Sequence, residues 1–516
     1  MSVTSPARLR KRCPERRLLG QAVRMGEQIV GRTFTREDRQ RYRDKVHRCL
    51  DVFARMLREE RFEFEQPLTG MEVELNLVEH DGRPALRNSE VLERIDDPAF
   101  VQELGRFNLE INVPPKNLGG DGAMQYEFEV RDQLNAANEK ADEVHAGMVM
   151  IGILPTLTPE LMTHESISSN PRYALLDEQM LLARGEDLHI DIRGGPEYLE
   201  TYADSIAPEA ACTSVQFHLQ VAPEDFPAYW NAAQVLAGPQ VAVGANSPFF
   251  GGKQLWHETR IALFHQATDT RSVELKAQGV RPRVWFGERY ITSVFDLFEE
   301  NNRYFPALLP IVSDEDPLAT LDAGVTPTLS ELRLLNGTVW RWNRPVYDVV
   351  DGTPHLRVEN RVAPSGPSVI DIMANGALYY GLLRGLVEMD RPVWSRMSFG
   401  AAQDNFHAGA QHGLDAQMYW PGLGNVPASL LLLRKLLPVA HAGLQSSGVD
   451  EGVIDRLLTV IERRCVTGRT GAQWQIDAVA AYEDKGLDRW EALRRMSRAY
   501  GEHMHRNDPA HSWPID

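Results

Sequence analysis

The stretch Gly70-Met-Glu-Val-Glu-Leu-Asn-Leu77 alternates polar and apolar side chains. Successive side chains of a β-strand point to opposite faces, so Glu72, Glu74 and Asn76 would share one face. Three later segments repeat this alternation, at residues 108–113, 215–221 and 356–362. Their polar faces carry Asn, Glu, Gln, His and Arg but no Lys. We predict one antiparallel sheet whose polar faces line a concave site; for any single strand, a polar face in water is the alternative.

The acidic residues on these faces predict a metal site. The candidate ligands are Glu72, Glu74, Glu110, His218 and Glu359. Two carboxylates about 4 Å apart repel by about 4 kcal/mol at an effective dielectric constant near 20, so the cluster stays ionised only with cations. Oxygen ligands with one imidazole suit Mg²⁺ or Mn²⁺ better than zinc, and Mg²⁺ commonly also holds substrate phosphates. The sequence has neither a P-loop nor a GxGxxG motif.

The composition limits the class of protein. Of 516 residues, 43% are hydrophobic and 25% are charged, which is typical of a globular protein with a large core. The net charge of −17 argues against nucleic acid or an anionic membrane surface as a partner. The longest apolar run, residues 147–154, is too short to span a membrane. Four scattered cysteines without a CxxC motif favour the reducing cytoplasm over a disulfide scaffold.

The chain divides into three predicted regions. Residues 1–66 hold 17 Lys and Arg against 10 Asp and Glu, and residues 36–61 have helical periodicity. We predict a basic helical extension packed on the main body; an arm that docks a partner is the alternative. Residues 67–400 are predicted to form the catalytic domain, and residues 401–516 a helical region packed on it.

Three local predictions concern the middle of the chain. Residues 156–196 are rich in Ser, Asn, Pro and Gly and predict a long functional or mobile loop. Residues 331–349 and 354–362 predict two strands joined through Asp351-Gly352. A helix is predicted over residues 284–303.

The order of the polar strands resembles a known family. The first motif is Gly-x-Glu-x-Glu at residues 70–74, and the second is a Glu strand that ends in Pro at residues 110–114. The third is a strand with His218, followed by a helix and a Ser-Pro segment at residues 247–248, and the fourth is Glu359-Asn-Arg361. Over roughly residues 67–390 the chain resembles the glutamate–cysteine ligase superfamily, particularly its bacterial carboxylate-amine ligase branch. Residues 1–66 and 334–342 depart from the family pattern.

The resemblance implies both a fold and a reaction. The fold is α+β, with a curved antiparallel sheet like that of glutamine synthetase lining an active-site funnel, packed with helices. The reaction is ATP-dependent formation of a γ-glutamyl amide, in which a carboxylate is phosphorylated and an amine attacks the acyl phosphate. Cysteine is the default acceptor of the family, and another amino acid or amine is the alternative.

The resemblance also implies roles for individual residues. The five candidate ligands would hold Mg²⁺ or Mn²⁺ against the ATP phosphates, and Glu359 and Arg361 would be the catalytic pair. Arg361 would stabilise the transferred phosphoryl group. The substrate-binding candidates are Arg260, Arg172, Gln216 and Gln220. The nucleotide-binding candidates are Arg357 and Ser247.

Two other functions remain open from the sequence. A metal-dependent hydrolase would use the same carboxylates to activate water and would turn over without ATP. A non-catalytic member would only bind a nucleotide or an amino acid, but a decayed site would be expected to lose some of its acids and the Glu-x-Arg pair. The expected partners are small molecules, with no nucleic acid and no membrane, and the sequence does not predict an oligomeric state.

Overall fold

The computed structural model describes residues 34–62, 64 and 67–515, so residues 1–33 of the predicted basic extension lie outside the described residues. The helices are α1 Arg36–Arg58, α2 Asn88–Ile95, α3 Gly122–Asp142, α4 Pro171–Arg184, α5 Ala207–Ala210, α6 Phe226–Gly244, α7 Thr259–Ala267, α8 Val273–Ala277, α9 Val294–Tyr304, α10 Pro317–Asp322, α11 Ser330–Asn336, α12 Val369–Val387, α13 Phe399–His412, α14 Ala428–Leu431, α15 Leu437–Ser446, α16 Glu451–Thr467, α17 Gly471–Asp484 and α18 Arg489–Arg506. The strands are β1 Leu68–Val78, β2 Phe100–Gln102, β3 Asn108–Asn117, β4 Gly147–Val149, β5 Leu188–Ile192, β6 Leu199–Ala203, β7 Val215–Gln220, β8 Phe249–Phe250, β9 Lys253–Gln254, β10 Val284–Trp285, β11 Trp340–Arg341, β12 Asn343–Val350, β13 Thr353–Asn360, β14 Gln417–Trp420 and β15 Gly424–Pro427.

One curled sheet contains the four strands with polar faces. Its order is β12-β13-β7-β1-β3-β2, and β4 also pairs with β1. Every neighbouring pair is antiparallel, and the sheet curls into a half-barrel. The four segments predicted from alternation correspond to β1, β3, β7 and β13, with small differences at the strand ends. These four strands are consecutive in the sheet, in the order β13-β7-β1-β3. The predicted α+β class with a curved antiparallel sheet is confirmed.

The apolar face of the sheet packs on two buried helices. Val73, Leu75 and Leu77 of β1 are fully buried. Helices α6 and α12 pack against each other, α6 also against β13 and α12 against β7, and nearly every residue of both helices is buried. A helix that is apolar all round belongs in a core, so these two helices and the sheet define the centre of the protein.

Helix α1 packs on the main body. It begins at a capping box, in which Thr35 accepts from the backbone N–H of Asp38 and the Asp38 side chain accepts from Thr35. Its apolar stripe contacts α9, α10 and α11. At the other end of the chain, α15 and α16 pack on α12, and α17 packs on α18.

The hairpin of β12 and β13 forms where the sequence predicts it. Val350 pairs with Thr353, so Asp351 and Gly352 are the two turn residues, and both have positive φ. A two-residue turn with two positive φ values matches the right-handed twist of the strands, and Asp-Gly is suited to it. The first strand starts later than predicted, because residues 330–336 form α11.

Two local predictions were wrong. The segment 156–196 is not one long loop, since it contains α4 and β5. Asn170 caps α4 through its side chain and Pro171 occupies the first helical turn, so these residues start a helix there. The predicted helix 284–303 starts only at Val294, because the Ser293 side chain caps it there and residues 284–285 form β10. Within the described residues, no helix is long and apolar enough to cross a membrane.

Candidate active site

The strand registers bring the predicted acids together on one face. Glu74 of β1 lies directly opposite Glu110 of β3. On the other side of β1, Gly70 lies opposite His218 of β7, and His218 lies opposite Glu359 of β13. His218 Nε2 is 3.3 Å from Glu72 Oε1, which closes the group across three strands. The structure therefore assembles all five sequence-predicted ligand candidates.

Glu359 lies between two arginines. Its Oε2 is 2.7 Å from Nη2 of Arg344, and its Oε1 accepts a hydrogen bond from Nε of Arg361. Burial alone would raise the pKa of Glu359, but the charges of Arg344 and Arg361 outweigh it and hold that pKa far below its ordinary value. Glu359 is thus an ionised carboxylate throughout the physiological pH range.

Glu74 is fixed by hydrogen bonds at the centre of the sheet. Its Oε2 accepts from the backbone N–H of Ser214 at 2.6 Å, and its Oε1 accepts from Nε2 of Gln216 at 3.0 Å. Burial nevertheless raises the pKa of Glu74, against the lowering effect of Arg361. Gln216, a predicted substrate-binding residue, therefore orients a carboxylate, while its own Oε1 is buried without a hydrogen bond.

Glu110 is the carboxyl group most affected by like charges. Burial raises its pKa well above the ordinary value, and Glu72, Glu103 and Glu74 raise it further. Its Oε1 accepts only a neutral hydrogen bond, from Nδ2 of Asn112 at 3.0 Å. The repulsion expected from the sequence is therefore present in the folded protein.

Two acids that the sequence analysis did not select also face this group. Burial raises the pKa of Glu103 to about 8, with a further contribution from Glu74. Burial likewise raises the pKa of Glu209 to about 8, with a contribution from Glu103. Neither residue lies on an alternating strand, since Glu103 follows β2 and Glu209 is in the short helix α5. We refer to the six carboxyl groups as the acidic cluster: Glu72, Glu74, Glu103, Glu110, Glu209 and Glu359.

Arg361 is the cation common to the whole acidic cluster. Its charge lowers the pKa of all six carboxyl groups. Arg344, on the edge strand β12, was also not selected from the sequence. Arg344 could have been found from the sequence, because a two-residue turn at Asp351-Gly352 fixes the strand register that places Arg344 opposite Glu359.

His218 has a defined hydrogen-bonding state. Its Nδ1 lies 3.1 Å from Nε of Arg357, which donates to it. Its other ring nitrogen, Nε2, faces Glu72. Although burial would raise the pKa of Glu72, the neighbouring His218 outweighs it and lowers that pKa.

The acidic cluster fits hard divalent cations. Burial is the main cause of the raised pKa values of Glu103, Glu110 and Glu209, and the like charges of neighbouring carboxylates raise these pKa values further. Oxygen donors of this kind are the ligands that Mg²⁺ prefers. Glu72, Glu74, Glu110 and Glu359 supply carboxylate oxygens of this kind on the polar face of the sheet.

Arg260 and Ser247 lie beside the acidic cluster and not on its polar face. Both are buried, and Ser247 Oγ accepts from the backbone N–H of Arg260 at 3.2 Å. The guanidinium of Arg260 donates to Glu258 at 2.9 Å and to the backbone carbonyl oxygens of Arg361 and Val362. Arg260 therefore fixes the backbone that carries Arg361, and three of its five side-chain N–H groups are used within the fold.

The remaining candidates lie at the rim. Arg357 touches His218 and also lies 3.3 Å from Asp348, and Gln220 pairs with Arg357 in the strand register. Arg172 is exposed in the first turn of α4 and makes no hydrogen bond or ion pair with the acidic cluster. The structure thus brings Arg357 and Gln220 to the cluster but not Arg172.

A family comparison matches most of the chain. The model of Glutamate-cysteine ligase family 2 (GCS2) matches residues 68–499. This confirms the resemblance inferred from the four strand motifs. Among curated proteins, none matches the chain in sequence.

Solved structures give more distant matches. A glutamate–cysteine ligase from Francisella tularensis in complex with AMP is 11% identical with a TM-score of 0.44, over 86% of this chain and 90% of that chain. A bifunctional glutathione synthetase from Pasteurella multocida is 12% identical with a TM-score of 0.47, over 89% of this chain and 55% of that one. The complex of the prokaryotic ubiquitin-like protein Pup with its ligase PafA gives 9% identity and a TM-score of 0.37, over 84% and 71%.

Proposed function

The chain belongs to glutamate-cysteine ligase family 2, and we propose that it is an ATP- and Mg²⁺-dependent ligase that joins the γ-carboxylate of glutamate to an amine. In this reaction a carboxylate oxygen of glutamate takes the γ-phosphoryl group of ATP, which gives an acyl phosphate and ADP. The amine then attacks the acyl carbon, phosphate leaves, and the amine loses a proton. Cysteine is the default acceptor, and another amino acid or amine is the alternative.

The pairing of Glu359 with Arg344 and Arg361 carries this proposal. Phosphoryl transfer needs positioning and charge stabilisation more than a protein nucleophile. Arg361 is a permanent cation at the centre of the acidic cluster, and Arg260 holds its backbone in place. Bound Mg²⁺ would neutralise the phosphates of ATP, and Glu72, Glu74, Glu110 and Glu359 would hold it. His218 and Arg357 would contribute further polar and positively charged groups at the rim of the site.

The decisive experiment is ADP release by the purified protein with ATP, Mg²⁺ and glutamate, tested against a panel of amino acids and amines. We expect ADP only when glutamate and one acceptor are both present. ADP release without an acceptor would indicate a hydrolase, and turnover of substrate without ATP would identify the metal-dependent hydrolase. ATP binding without ADP release under any pairing would contradict the ligase proposal.

A cytoplasmic location is part of the same proposal. The cysteines Cys49, Cys212 and Cys465 are free thiols, which agrees with a reducing compartment. The substrates of the proposed reaction are small metabolites found there.

A further inference from the structure

A cavity of about 400 Å³ lies between α1 and the segment 302–307 at the end of α9. Its lining shares no residue with the acidic cluster or with the arginines that contact that cluster. This volume falls within the range of small-molecule sites in proteins. The cavity therefore offers a second place where a small ligand would fit.

The cavity is lined by arginines and by no acid. Arg39 and Arg43 project from α1, and Arg303 projects from α9. Arg39 is held by neutral acceptors, since its Nη1 donates to the carbonyl oxygen of Ala307 at 3.0 Å and its Nη2 to Oε1 of Gln179 at 3.2 Å. Its charge is thus positioned but not neutralised.

The other two arginines leave most of the positive charge uncompensated. Arg303 pairs with Glu299 one turn earlier on α9. Arg43 is exposed and makes no hydrogen bond or ion pair with any described residue. The lining therefore has a net positive charge of about two after the Glu299 pair is counted.

A fourth arginine lies behind the cavity wall. Arg283 is buried, and its guanidinium carbon is 5.9 Å from the ring centre of Phe305, which lines the cavity. It donates only to the carbonyl oxygens of Thr338 and Pro306, and its Nε has no hydrogen bond. Burial lowers the pKa of Arg283 to about 10, so it remains charged at neutral pH without a carboxylate partner.

The positive charge of the cavity lining is opposite in sign to the net charge of the chain. The net charge of the chain is −17, whereas the lining of this cavity is positive. A concave surface lined by one sign of charge concentrates the field and attracts ions of the opposite sign. Guanidinium groups also match carboxylate and phosphate oxygens in a bidentate geometry.

We propose that this cavity binds a small organic anion with two or more carboxylate or phosphate groups. Arg39, Arg43 and Arg303 contact the anionic groups, and the half-buried ring of Tyr304 contacts the carbon skeleton. The inference does not depend on the proposed ligase reaction, because it concerns a different part of the molecule.

Isothermal titration with citrate, and separately with inorganic pyrophosphate, tests the site without ATP, glutamate or Mg²⁺. The test variant is Arg43→Gln with Arg303→Gln. The matched control is Arg41→Gln with Arg48→Gln, which removes the same charge from two exposed positions of α1 outside the cavity. Circular dichroism checks that both variants fold.

We expect one saturable site for at least one probe. Its affinity should fall about tenfold or more in the test variant and stay within about twofold of the parent protein in the control. Citrate as the tighter probe would identify a polycarboxylate site, and pyrophosphate a phosphate site. No saturable binding of either probe, or equal weakening in both variants, would overturn the proposal.

Discussion

Glu359 remains ionised in a buried position because two guanidinium groups contact it, one from the neighbouring strand and one from its own. Glu359→Gln preserves the shape of the side chain but removes the charge that Arg344 and Arg361 face. We expect ADP release to fall at least about 100-fold, as in other sites where a preorganised charge is removed. Arg361→Ala should have the same effect, with far-UV circular dichroism unchanged in both variants.

The control for these two variants is Arg384→Gln. Arg384 lies on α12, is 42% exposed and pairs with Glu388 one turn later, away from the acidic cluster. The Arg384→Gln variant should retain the activity of the parent protein. Activity close to that of the parent protein in Glu359→Gln or Arg361→Ala would contradict the site assignment.

The acidic cluster also predicts how stability depends on pH and Mg²⁺. Glu103 and Glu209 have pKa values near 8 when folded, above the ordinary value of 4.5. Between these two values the folded protein binds protons that the unfolded chain has released. Stability must therefore fall as pH rises from about 4.5 to about 8. Thermal midpoints without Mg²⁺ should drop by several degrees across this window.

Mg²⁺ should reverse that loss at the alkaline end of the window. A bound cation offsets both the burial of these carboxylates and their mutual repulsion, so it stabilises the ionised cluster. Na⁺ at matched ionic strength controls for screening, and Glu103→Gln should make the pH dependence shallower. A thermal midpoint that is independent of pH, or is equally sensitive to Na⁺, would contradict this account of the cluster.

The candidate ligands that the structure brings to one face are those whose placement follows from strand periodicity. Glu72, Glu74, Glu110, His218 and Glu359 each occupy an alternating strand, so a period of two already fixes their face. Glu103 and Glu209 could not be found in this way. Their position in the cluster depends on how α5 and the end of β2 fold over the sheet, which no local pattern encodes.

At the scale of elements, β13 is held in position by a buried network of amides. Asn360 Nδ2 donates to Oδ1 of Asn343 at 2.7 Å, and Asn360 exchanges hydrogen bonds with Gln240 of α6. Asn343 in turn donates to Gln234 at 2.7 Å. Because Asn360 stands between Glu359 and Arg361 in sequence, this network fixes the backbone that carries both residues.

Asn360→Ala should therefore destabilise the protein and impair its activity. The substitution leaves the amides of Asn343 and Gln240 buried without their partner, at a cost of about 3 kcal/mol for the two groups. Urea unfolding followed by tryptophan fluorescence measures this cost. Asn425→Ala, at an exposed position of β15, should change stability by less than about 0.5 kcal/mol. A loss as small as that in Asn360→Ala would show that the network does not hold β13.

The sequence patterns predicted some secondary-structure elements and missed others. The sheet and its hairpin follow from alternation and from Asp351-Gly352, which are local signals. Helix α4 was missed because Pro and Ser residues were interpreted as loop formers, although Asn170-Pro171 is a helix start when a packed helix follows. Whether such a start is used depends on burial of the helix, as for Leu175 and Met180 in α4, and burial is a tertiary property.

At the scale of the whole molecule, the C-terminal helices support the acidic cluster from behind. Tyr500 of α18 donates to the backbone carbonyl of Met150 and accepts from Asn246, and Asn246 also donates to the carbonyl of Ser365. Ser365 in turn donates to the backbone carbonyl of Glu74. Through Tyr500, the C-terminal helices are thus linked by hydrogen bonds to the backbone that carries the acidic cluster.

The N-terminal helix is joined to the same core. The ring centre of Phe53 in α1 lies 4.9 Å from that of Phe298 and 5.8 Å from that of Tyr347, which lies on β12. Cys49, one turn earlier, is fully buried, and burial together with Glu331 raises its pKa to about 12. These contacts predict that α1 unfolds together with the sheet and not as a separate unit.

Thiol labelling of Cys49 tests this prediction. While α1 is docked, the thiol is inaccessible and un-ionised, so it should react very slowly. We expect the urea midpoint for labelling of Cys49, measured by mass spectrometry, to coincide with the midpoint of tryptophan fluorescence and with that for Cys465 of α16. Phe53→Ala should lower all three urea midpoints together, because loss of a buried aromatic ring lowers the free energy of unfolding by about 3 kcal/mol or more. If Cys49 became reactive at lower urea than Cys465, α1 would be an independently opening segment, and the boundary near residue 66 would mark a true division of the fold.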